Sequence, residues 1–529
     1  MTTVTAPSLA PTLEAACKRW PDRPALIHRG RTISYGELRE QARSLATAYR
    51  RLGIKPGDRV VCQLRTCPEH LIAVYAAWTC GALHVGADND LTGEELAWLV
   101  ERTEAAALVF QPRPDAPDAL APLDAVRRPW PQTTFILHQA RPAEPGDHDL
   151  AELLADGSGD KRLPSEPPFG PEDPALVLLT SGTTGKPKGV LETLPGIWAK
   201  FQFFADAFSP GPDDVHLMYL PIAHVFGLKL ALTALLSGGR LVMLDRFSPI
   251  EALHLIGEER VSVLPGTPTH YRLLVDALDP ARDQVGSLRW GVAAAAPLPP
   301  PLLSEVYERL GIELLFVYGC TEGFLTLTTH RDDIFAGSVG KKVFQGPVGT
   351  PPNGTVRVVD PLDHHPLPVG EIGEIVFGAS APVRYWREPE VAADGWYHSG
   401  DLGHLDEQGR LHVCGRLKDL INRGGLKVAP SEVEALLARH PRVADAGVVG
   451  VPDPVLGEAV CACIVATSVD PPDLAEVRSF LCASLARHKL PDELCLVATI
   501  PRTKISKVDR PALAALVAES GVRERLRPR

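Results

Sequence analysis

Cysteine pairs with the spacing of metal or redox sites are missing from this sequence. The chain has 10 cysteines, but no two form a CxxC pair. The closest two, Cys461 and Cys463, have the spacing of neighbours on one face of a strand. Zinc and redox motifs need paired spacing, and disulfide scaffolds are short, cysteine-rich chains. The pattern therefore favours buried thiols over a disulfide framework or a zinc centre.

Targeting and membrane segments are also missing. Residues 1–11 contain no basic region followed by an apolar core, so no signal peptide is predicted. The longest apolar stretch, 228–244, is interrupted by Ser237, two glycines and Arg240, and cannot span a bilayer. A formal net charge of −11 argues against a nucleic-acid surface. We expect a cytoplasmic protein without a membrane span or a nucleic-acid partner.

A strand–helix–strand rhythm in residues 24–110 predicts a layered α/β sheet. A capping box at Ser34 and Glu37 opens a helix that runs to about Leu52. A strand, a helix and a strand follow at Arg59–Leu64, Pro68–Cys80 and Ala106–Phe110. The chain has 529 residues, more than one core accommodates, so at least two domains are expected.

The pattern weakens and then resumes towards the middle of the chain. Residues 112–174 are rich in proline and aspartate and are predicted to be a surface connection. The short strand Leu176–Leu179 is followed by a second α/β run over 215–320. Residues 345–415 predict a smaller β-rich subdomain, with strands at Thr355–Val359 and Glu374–Phe377.

After Arg416 the sequence predicts a separate α+β unit of about 110 residues. Its helices begin at capping boxes formed by Ser431 with Glu434, where the helix runs to about His440, and by Asp473 with Glu476. Its strands are Ala446–Val451 and Val460–Ala466. We predict an N-terminal domain over 1–417 and a C-terminal domain over 418–529.

The loop Thr180–Gly189 follows a predicted strand and has the composition of an anion-binding loop. The loop supplies hydroxyl donors, glycines that let backbone amides approach an anion, and positive charges. The hydroxyls belong to Ser181, Thr183 and Thr184, the glycines are Gly182, Gly185 and Gly189, and the charges belong to Lys186 and Lys188. It is not a Walker A loop, because Pro187 follows Lys186. A short cluster of this kind is also typical of a flexible polar turn, but ten residues in this order favour phosphate binding.

This loop closely resembles the phosphate-binding loop of the acyl-adenylate-forming superfamily. That superfamily includes acyl- and aryl-CoA synthetases, peptide-synthetase adenylation domains and luciferases. Further family motifs occur in the family's order over nearly the whole chain, at Ile33–Leu38, Leu220–Gly227, Tyr318–Glu322, Tyr397–Leu402, Gly415–Asp419, Gly424–Glu434 and Pro501–Lys507. The ordered set is far more specific than any single motif.

The resemblance implies a site for ATP and Mg²⁺. The nucleotide would be bound by the loop residues Thr180–Lys186 and Lys188, and by Tyr318, Gly319, Thr321, Asp401 and Arg416. Asp401 and Arg416 would hold the ribose, Tyr318 would pack on adenine, and Thr321 would contact the α-phosphate. Glu322 and Thr184 would hold the metal. Taken alone, Asp401 would be a turn residue, Arg416 a surface charge and Tyr318 a core residue.

The same resemblance implies an acyl pocket, whose lining is His224, Val225, Phe226, Ala294 and Ala295. His224 is not assigned as a base. Ala293 and Ala294 stand where glycine or serine is usual, and the added methyl groups favour a small or flat acid. Leu194 replaces a usual histidine. Lys229, one turn beyond His224, is expected at the surface, with contact to a polar group of the substrate as the alternative.

The C-terminal domain carries the second set of implied roles. Lys507 would enter the site and bind the carboxylate and the α-phosphate as the acyl-adenylate forms, although Ser506 precedes it where glycine is usual. This domain would be mobile and would rotate about Lys418 between the two half-reactions. Lys427, Gly424 and Gly425 would then face the thiol donor.

The sequence therefore predicts an ATP-dependent, AMP-forming acid–CoA ligase for a small aliphatic or aromatic carboxylic acid. Alternative acceptors are the phosphopantetheine of a separate carrier protein, since only residues 508–529 follow Lys507, and a non-thiol nucleophile such as nitrite. A non-catalytic nucleotide-binding homologue is disfavoured by the charged residues Lys507, Glu322, Asp401 and Arg416.

Overall fold

A computed structural model describes most of the chain. The described residues are 12–114, 119–156, 163–164, 167–180, 188–294, 300–322, 325–329, 331–335, 337–339, 342–344, 356–378, 383–389, 391, 395–467, 470–502, 508–520 and 523–525.

The helices lie between the strands along most of the chain, as the α/β prediction requires. They are α1 (Leu13–Arg19), α2 (Tyr35–Arg51), α3 (Pro68–Cys80), α4 (Gly93–Thr103), α5 (Ala121–Arg127), α6 (Leu150–Ala155), α7 (Leu194–Phe208), α8 (Val225–Leu236), α9 (Pro249–Glu258), α10 (Pro268–Ala277), α11 (Pro300–Glu305), α12 (Arg331–Phe335), α13 (Pro430–Leu437), α14 (Leu474–Leu481) and α15 (Arg510–Ser520). A π-helical turn lies at Val306–Leu310, and 3₁₀ turns lie at Leu417–Asp419 and Arg487–Lys489.

The strands of the N-terminal part form three sheets. They are β1 (Pro24–His28), β2 (Arg31–Ser34), β3 (Arg59–Gln63), β4 (Leu83–Gly86), β5 (Ala107–Phe110), β6 (Thr134–Leu137), β7 (His148–Asp149), β8 (Pro174–Thr180), β9 (Lys188–Thr193), β10 (Val215–Met218), β11 (Arg240–Met243), β12 (Val263–Gly266), β13 (Trp290–Ala293), β14 (Glu313–Gly319), β15 (Leu325–Thr328), β16 (Lys342–Phe344), β17 (Val356–Val359), β18 (Gly373–Gly378), β19 (Trp396–Leu405) and β20 (Leu411–Arg416). The C-terminal part adds β21 (Ile421–Arg423), β22 (Leu426–Val428), β23 (Val443–Asp453), β24 (Gly457–Ala466), β25 (Glu493–Leu496) and β26 (Arg523–Arg525).

Two large sheets form the core of the N-terminal part. Among the described residues, one has seven strands in the order β7-β6-β5-β3-β4-β8-β9, and the other has nine in the order β16-β15-β14-β13-β12-β10-β11-β1-β2. The inner strands run parallel, while β2, β9, β15 and β16 pair antiparallel at the edges. The carboxyl ends of β10, β12, β13 and β14 therefore share one edge, where α/β proteins place ligands.

Two smaller sheets complete the fold. β17 to β20 form an antiparallel four-stranded sheet, which confirms the predicted β-rich subdomain. The C-terminal strands form a separate sheet in which β24 lies between β21, β23 and β25. Helices α13 and α14 pack on it through Val433, Leu437, Val477 and Leu481. The predicted α/β class, with a large N-terminal and a small α+β C-terminal domain, is confirmed.

Capping residues in the sequence predicted the start of two helices correctly. Both hydrogen bonds of the capping box are present at Ser34 and Glu37, where α2 begins. Asp473 accepts a bond from the backbone N–H of Glu476 and begins α14. These caps satisfy backbone donors that the first helical turn leaves unpaired.

Two local predictions were wrong. Helix α13 begins after Ala429 and ends at Leu437, and Ser431 does not cap it. The Glu434 carboxylate instead accepts hydrogen bonds from Val448 N and Arg510, so tertiary contacts take the side chain that the pattern assigned to a cap. The second error was the surface connection over 112–174, because it contributes the buried strand β6 to the seven-stranded sheet.

The cysteines of the C-terminal sheet are buried thiols, as the sequence predicts. Cys461 and Cys463 are fully buried on β24, and all ten cysteines of the chain are described and form no disulfide bond. Cys482 is exposed, while Cys320 and Cys414 are half-buried, so buried thiols account for most but not all of them. No described helix combines the length and apolar character that crossing a bilayer would take.

Candidate active site

The predicted phosphate loop joins two antiparallel strands. β8 ends at Thr180 and β9 begins at Lys188, which is the Cα partner of Thr180 in the register. The loop residues Ser181, Gly182, Thr183, Thr184, Gly185 and Lys186 lie outside the described residues. The strand that feeds the loop was predicted, but the return strand was not. The hairpin fixes both ends of the loop beside each other.

Packing accounts for glycine at position 189. A Cβ atom there would lie 2.8 Å from Cγ1 of Val177 and 3.3 Å from Cβ of Trp386. The Gly189 carbonyl accepts a 2.7 Å hydrogen bond from Trp386 N, and Leu191 N donates to the Arg384 carbonyl. The return strand is thereby attached to the segment 383–386. Lys188 Nζ lies 5.4 Å from the ring centroid of Tyr385, one residue before Trp386.

Asp401 and Arg416, predicted to hold the ribose, are directly opposite each other. They are Cα partners on β19 and β20, and Arg416 Nε lies 3.4 Å from Asp401 Oδ1. The Tyr318 hydroxyl donates a 2.7 Å hydrogen bond to the other oxygen, Oδ2. One hydrogen bond and one ion pair therefore orient the Asp401 carboxylate. Both of its oxygens retain acceptor capacity for ligand hydroxyls.

Tyr318 links two sheets at this point. It lies on β14, at the edge of the nine-stranded sheet, and its ring stacks on Phe377 of β18 at a centroid distance of 6.2 Å. Burial, reinforced by the charge of Asp401, raises the pKa of Tyr318 well above its usual value. The Tyr318 hydroxyl therefore stays protonated at physiological pH and remains a donor to Asp401.

A second tyrosine–carboxylate contact lies at Glu322. The Tyr385 hydroxyl donates a 2.9 Å hydrogen bond to Glu322 Oε1. Burial, followed by the Glu322 charge, raises the pKa of Tyr385. Burial, followed by the electrostatic effects of Cys320 and then Glu322, raises the pKa of Tyr397. The two tyrosines therefore stay protonated beside an acidic side chain. Gly319 is the last residue of β14, and Thr321 lies beside Glu322 in the segment between β14 and β15.

The structure places the predicted acyl-pocket residues at the start of α8 and the end of β13. His224 is the residue before α8, and its Nε2 lies 3.4 Å from Asp88 Oδ2. Val225 and Phe226, the first residues of the helix, are half-buried. Ala294 is 9% exposed, and its N–H donates to the Gly266 carbonyl. Ala295 lies outside the described residues.

Lys229 does not lie at the surface, so that expectation was wrong. The residue is 6% exposed and its Nζ lies 3.9 Å from Oε1 of the buried Glu192. Lys200 binds the other oxygen of Glu192, with a distance of 2.5 Å from Nζ to Oε2. The Lys229 side chain on α8 therefore lies in the interior, next to the Glu192 carboxylate on β9. Leu194, two residues beyond Glu192, begins α7 and packs on the main core.

The predicted thiol-side residues lie on a hairpin of the C-terminal domain. Gly424 and Gly425 have φ values of 58° and 87°, which glycine adopts without strain, and they form the turn between β21 and β22. Lys427 is exposed on β22, and Lys418 is exposed in the 3₁₀ turn before the hairpin. Lys507 and Ser506 lie outside the described residues. Their implied roles stay predictions.

Comparison with known families agrees with this arrangement. The model of the AMP-binding enzyme family matches residues 13–384, and the model of the AMP-binding enzyme C-terminal domain matches residues 432–507. The chain belongs to this family. The prediction made from the ordered motifs is therefore confirmed.

Individual relatives of this AMP-binding enzyme cover almost its full length. Triostin synthetase I of Streptomyces triostinicus is 34% identical and aligns over 96% of this chain and 94% of its own. The 2-hydroxy-7-methoxy-5-methyl-1-naphthoate--CoA ligase of Streptomyces carzinostaticus is 33% identical over 96% and 93%. ATP-bound MatB from Rhodopseudomonas palustris has a TM-score of 0.82 at 29% identity, covering 97% and 100%.

The described residues of this AMP-binding enzyme fit a nucleotide and a hard cation. Asp401 offers carboxylate oxygens, and Glu322 is an acidic side chain fixed by tyrosine donors, which suits Mg²⁺. Sequence reasoning did not identify Tyr385 or the Glu192–Lys200 pair. Glu192 carried a detectable signal, since a carboxylate directly follows the apolar pair Val190 and Leu191 in the strand after the loop. Tyr385 is not in any quoted motif.

Proposed function

We propose that this protein is an ATP-dependent, AMP-forming acid–CoA ligase whose substrate is a small aliphatic or aromatic carboxylic acid. The observation that carries the proposal is the convergence of Tyr318, Asp401 and Arg416, within a chain that belongs to the AMP-binding enzyme family. Glu322, four residues after Tyr318, is bound by Tyr385. Relatives that cover nearly the whole chain include acid–CoA ligases, which confirms the predicted enzyme class.

The first half-reaction joins the acid to the nucleotide. A carboxylate oxygen of the acid attacks the α-phosphorus of ATP, the bond to the bridging oxygen of pyrophosphate breaks, and an acyl-adenylate remains. In our proposal Asp401 and Arg416 hold the ribose, and Tyr318 keeps the Asp401 carboxylate oriented. Fixed donors and acceptors of this kind lower the barrier because they need no rearrangement as charge develops.

Magnesium would be held by Glu322, together with Thr184 of the loop. The metal supplies charge neutralisation at the phosphate oxygens. The Tyr385 hydroxyl holds Glu322 in place through Oε1. Lys188, at the end of the loop, contributes positive charge next to Tyr385. These side chains bind and orient the triphosphate.

The second half-reaction transfers the acyl group from AMP to the CoA thiol. We assign the entry of Lys507 to the first half and the presentation of Lys427, Gly424 and Gly425 to the second. The domains 1–417 and 418–529 would move relative to each other, with Lys418 as the hinge. The exposed position of Lys418, in a short turn between two separately packed cores, supports this assignment.

The proposed partners are the acid, ATP and CoA, and the proposed location is the cytoplasm, where both co-substrates are available. A ring-bearing substrate is supported by a relative that acts, according to its name, on a substituted naphthoate. The buried position of Ala294, at the end of β13, supports a small or flat acid.

An acid-dependent ATP–pyrophosphate exchange assay, followed by addition of possible acceptors, tests the proposal. We expect exchange with at least one small acid, and CoA-dependent AMP release with that acid. Lys507→Ala should lower exchange by roughly 10²-fold or more, while Lys427→Ala should retain exchange and lose thioester formation. Turnover only with a carrier protein or nitrite would contradict the CoA assignment. An absence of exchange with every acid would contradict the enzyme assignment.

A further inference from the structure

A thiol, a carboxylate and an imidazole meet at the carboxyl edge of the seven-stranded sheet. Cys67 directly precedes α3, Glu69 lies in the first turn of that helix, and His138 directly follows β6. The Cys67 sulfur, one Glu69 oxygen and one His138 ring nitrogen all lie within 4.8 Å of one another. None of the three residues belongs to the predicted ATP, acyl or thiol sites.

The topology of the sheet puts this cluster where α/β folds bind ligands. β3 pairs in parallel with β4 on one side and with β5 on the other, so the strand order reverses at β3. Ligands of such sheets bind outside the carboxyl ends of the strands at the point of reversal. Cys67 and Glu69 follow β3, and His138 follows β6, the neighbour of β5.

The His138 imidazole is the observation that points to a ligand. The residue is 8% exposed, and its Nε2 has no hydrogen-bond partner in the part of the chain that the structure describes. That nitrogen lies 3.7 Å from Glu69 Oε2, which is too far for a hydrogen bond. The nitrogen and oxygen ligands of one tetrahedral zinc ion are roughly 3.4 Å apart. Since buried polar atoms normally have a partner, an ion between the two side chains would supply it.

The charges around His138 favour a cation. Burial is the main cause that lowers the pKa of His138, so the imidazole is neutral at physiological pH and offers a lone pair. The carboxylates of Glu69, Asp245 and Asp149 act on the imidazole in one direction and the Arg65 guanidinium acts in the other. In this set, acidic groups outnumber the basic one.

We propose that Cys67, Glu69 and His138 form a binding site for a divalent metal ion of the Zn²⁺ class. Thiolate, carboxylate and imidazole are the ligands that zinc takes, and three of them leave a fourth position for water. Burial raises the pKa of the Cys67 thiol, so its proton leaves to solvent as the sulfur–metal bond forms. The Glu69 side chain is 15% exposed and is the side from which the ion enters.

Such an ion would fasten the first turn of α3 to the end of β6. Its ligands come from two distant segments, so the spacing rule that disfavours a zinc centre among the cysteines does not apply to it. The competing interpretation is a buried thiol beside a Glu69–His138 ion pair. That interpretation predicts no metal binding through sulfur and no stabilisation by zinc.

Two cysteine variants separate these interpretations. Cys67→Ser removes the sulfur at a position where serine is a favoured helix cap, so the fold should be retained. Cys80→Ser is the matched control, because Cys80 is buried at the other end of α3 and its thiol donates to the Ala77 carbonyl. Glu69→Gln is a second variant at the exposed edge of the site.

A further control addresses binding elsewhere on the protein. His364, Glu374 and His398 also have ligand atoms within 4.8 Å of one another, and His364 is exposed. This second group lacks a thiol. His364→Gln therefore removes metal binding there without changing any signal that comes from a sulfur ligand.

The test titrates the full-length, chelator-treated protein with Co²⁺, a coloured substitute for Zn²⁺, in excess Mg²⁺ and without ATP. We expect one equivalent to bind with a thiolate-to-cobalt charge-transfer band, and Zn²⁺ to displace it. Loss of a second-shell partner already costs roughly 10–100-fold in affinity. Cys67→Ser should therefore lose the band and roughly 100-fold or more in affinity. Glu69→Gln should keep the band and bind roughly ten-fold or more weakly.

The melting temperature is the second measurement, since an ion that binds only the folded chain stabilises it. Zn²⁺ should raise the melting temperature of the wild-type protein, Cys80→Ser and His364→Gln, but not that of Cys67→Ser. Absence of binding, binding without the charge-transfer band, or a band that survives Cys67→Ser would overturn the inference. Loss of the band in Cys80→Ser as well would also overturn it. Neither measurement involves an acid or pyrophosphate, so the proposed function is tested separately.

Discussion

The Tyr318 hydroxyl donates a 2.7 Å hydrogen bond to Asp401 Oδ2, across 83 positions of sequence. Tyr318 belongs to the nine-stranded sheet and Asp401 to the four-stranded sheet. The bond therefore fixes a carboxylate of one sheet relative to a strand end of the other. Through Arg416, which faces the second oxygen of Asp401, the contact extends to β20.

Tyr318→Phe should weaken nucleotide binding. The substitution removes a hydrogen bond to a charged acceptor, and such bonds contribute about 1.5–3 kcal/mol. We expect KM for ATP in pyrophosphate exchange to rise roughly ten-fold or more, with a smaller change in KM for the acid. Tyr49→Phe is a matched control, because the buried Tyr49 hydroxyl has no hydrogen-bond partner among the described residues. Equal KM values for ATP in the two variants would contradict this role of Tyr318.

Glu322→Gln should raise the magnesium requirement of the reaction. Removing the charge takes away a ligand that a hard cation prefers, while the amide still accepts the Tyr385 bond. We expect a higher Mg²⁺ concentration for half-maximal exchange, and a smaller shift in the same direction for Tyr385→Phe. If Glu322→Gln leaves the Mg²⁺ dependence unchanged, Glu322 is not a metal ligand.

Glu192→Gln should destabilise the fold. The change leaves the buried Lys200 and Lys229 without a counter-charge, and removal of one partner from a buried ion pair costs about 3–5 kcal/mol. Glu371→Gln, at an exposed glutamate, is the control. Denaturant unfolding of the two variants measures the difference. Similar free energies of unfolding would show that the cluster is not a charge-compensated unit.

The stability gap between Lys229→Met and the wild-type enzyme should shrink as pH rises. The folded-state pKa of Lys229 is lowered to about 7, so between about pH 7 and about pH 10.4 the unfolded chain binds more protons. The wild-type free energy of unfolding therefore rises with pH in that window, whereas the variant lacks this titration. Glu192, Lys200 and Cys320, which act on the Lys229 amine in the wild-type enzyme, are present in both proteins, and only the amine differs. A gap independent of pH would contradict the lowered pKa.

Sequence reasoning predicted elements where the signal is local. The box at Ser34 and Glu37 and the helix Pro68–Cys80 are present as expected, because caps and proline at a first turn act within a few residues. It failed for β6, a four-residue strand that is recognisable only by its pairing with β5. It also failed at Ser431, where Glu434 binds Arg510 across the domain.

In the candidate site, too, the residues within sequence motifs were predicted, and those positioned by tertiary contacts were not. Ordered motifs supplied Tyr318, Asp401 and Arg416, and the structure brings them together. Motifs did not supply Tyr385, whose contact with Glu322 depends on how β9 attaches to the segment 383–386. Lys229 was expected at the surface because a lone lysine usually is. Only the buried Glu192 of a neighbouring strand shows otherwise.

The central claim is that this chain forms an acyl-adenylate from ATP and a carboxylic acid. Its most direct test is exchange of labelled pyrophosphate into ATP, with and without a panel of small acids and without any acceptor. The account predicts acid-dependent exchange that requires Mg²⁺ and falls sharply in Asp401→Ala. Exchange that is independent of acid, or ATP consumption that releases ADP instead of pyrophosphate, would contradict it.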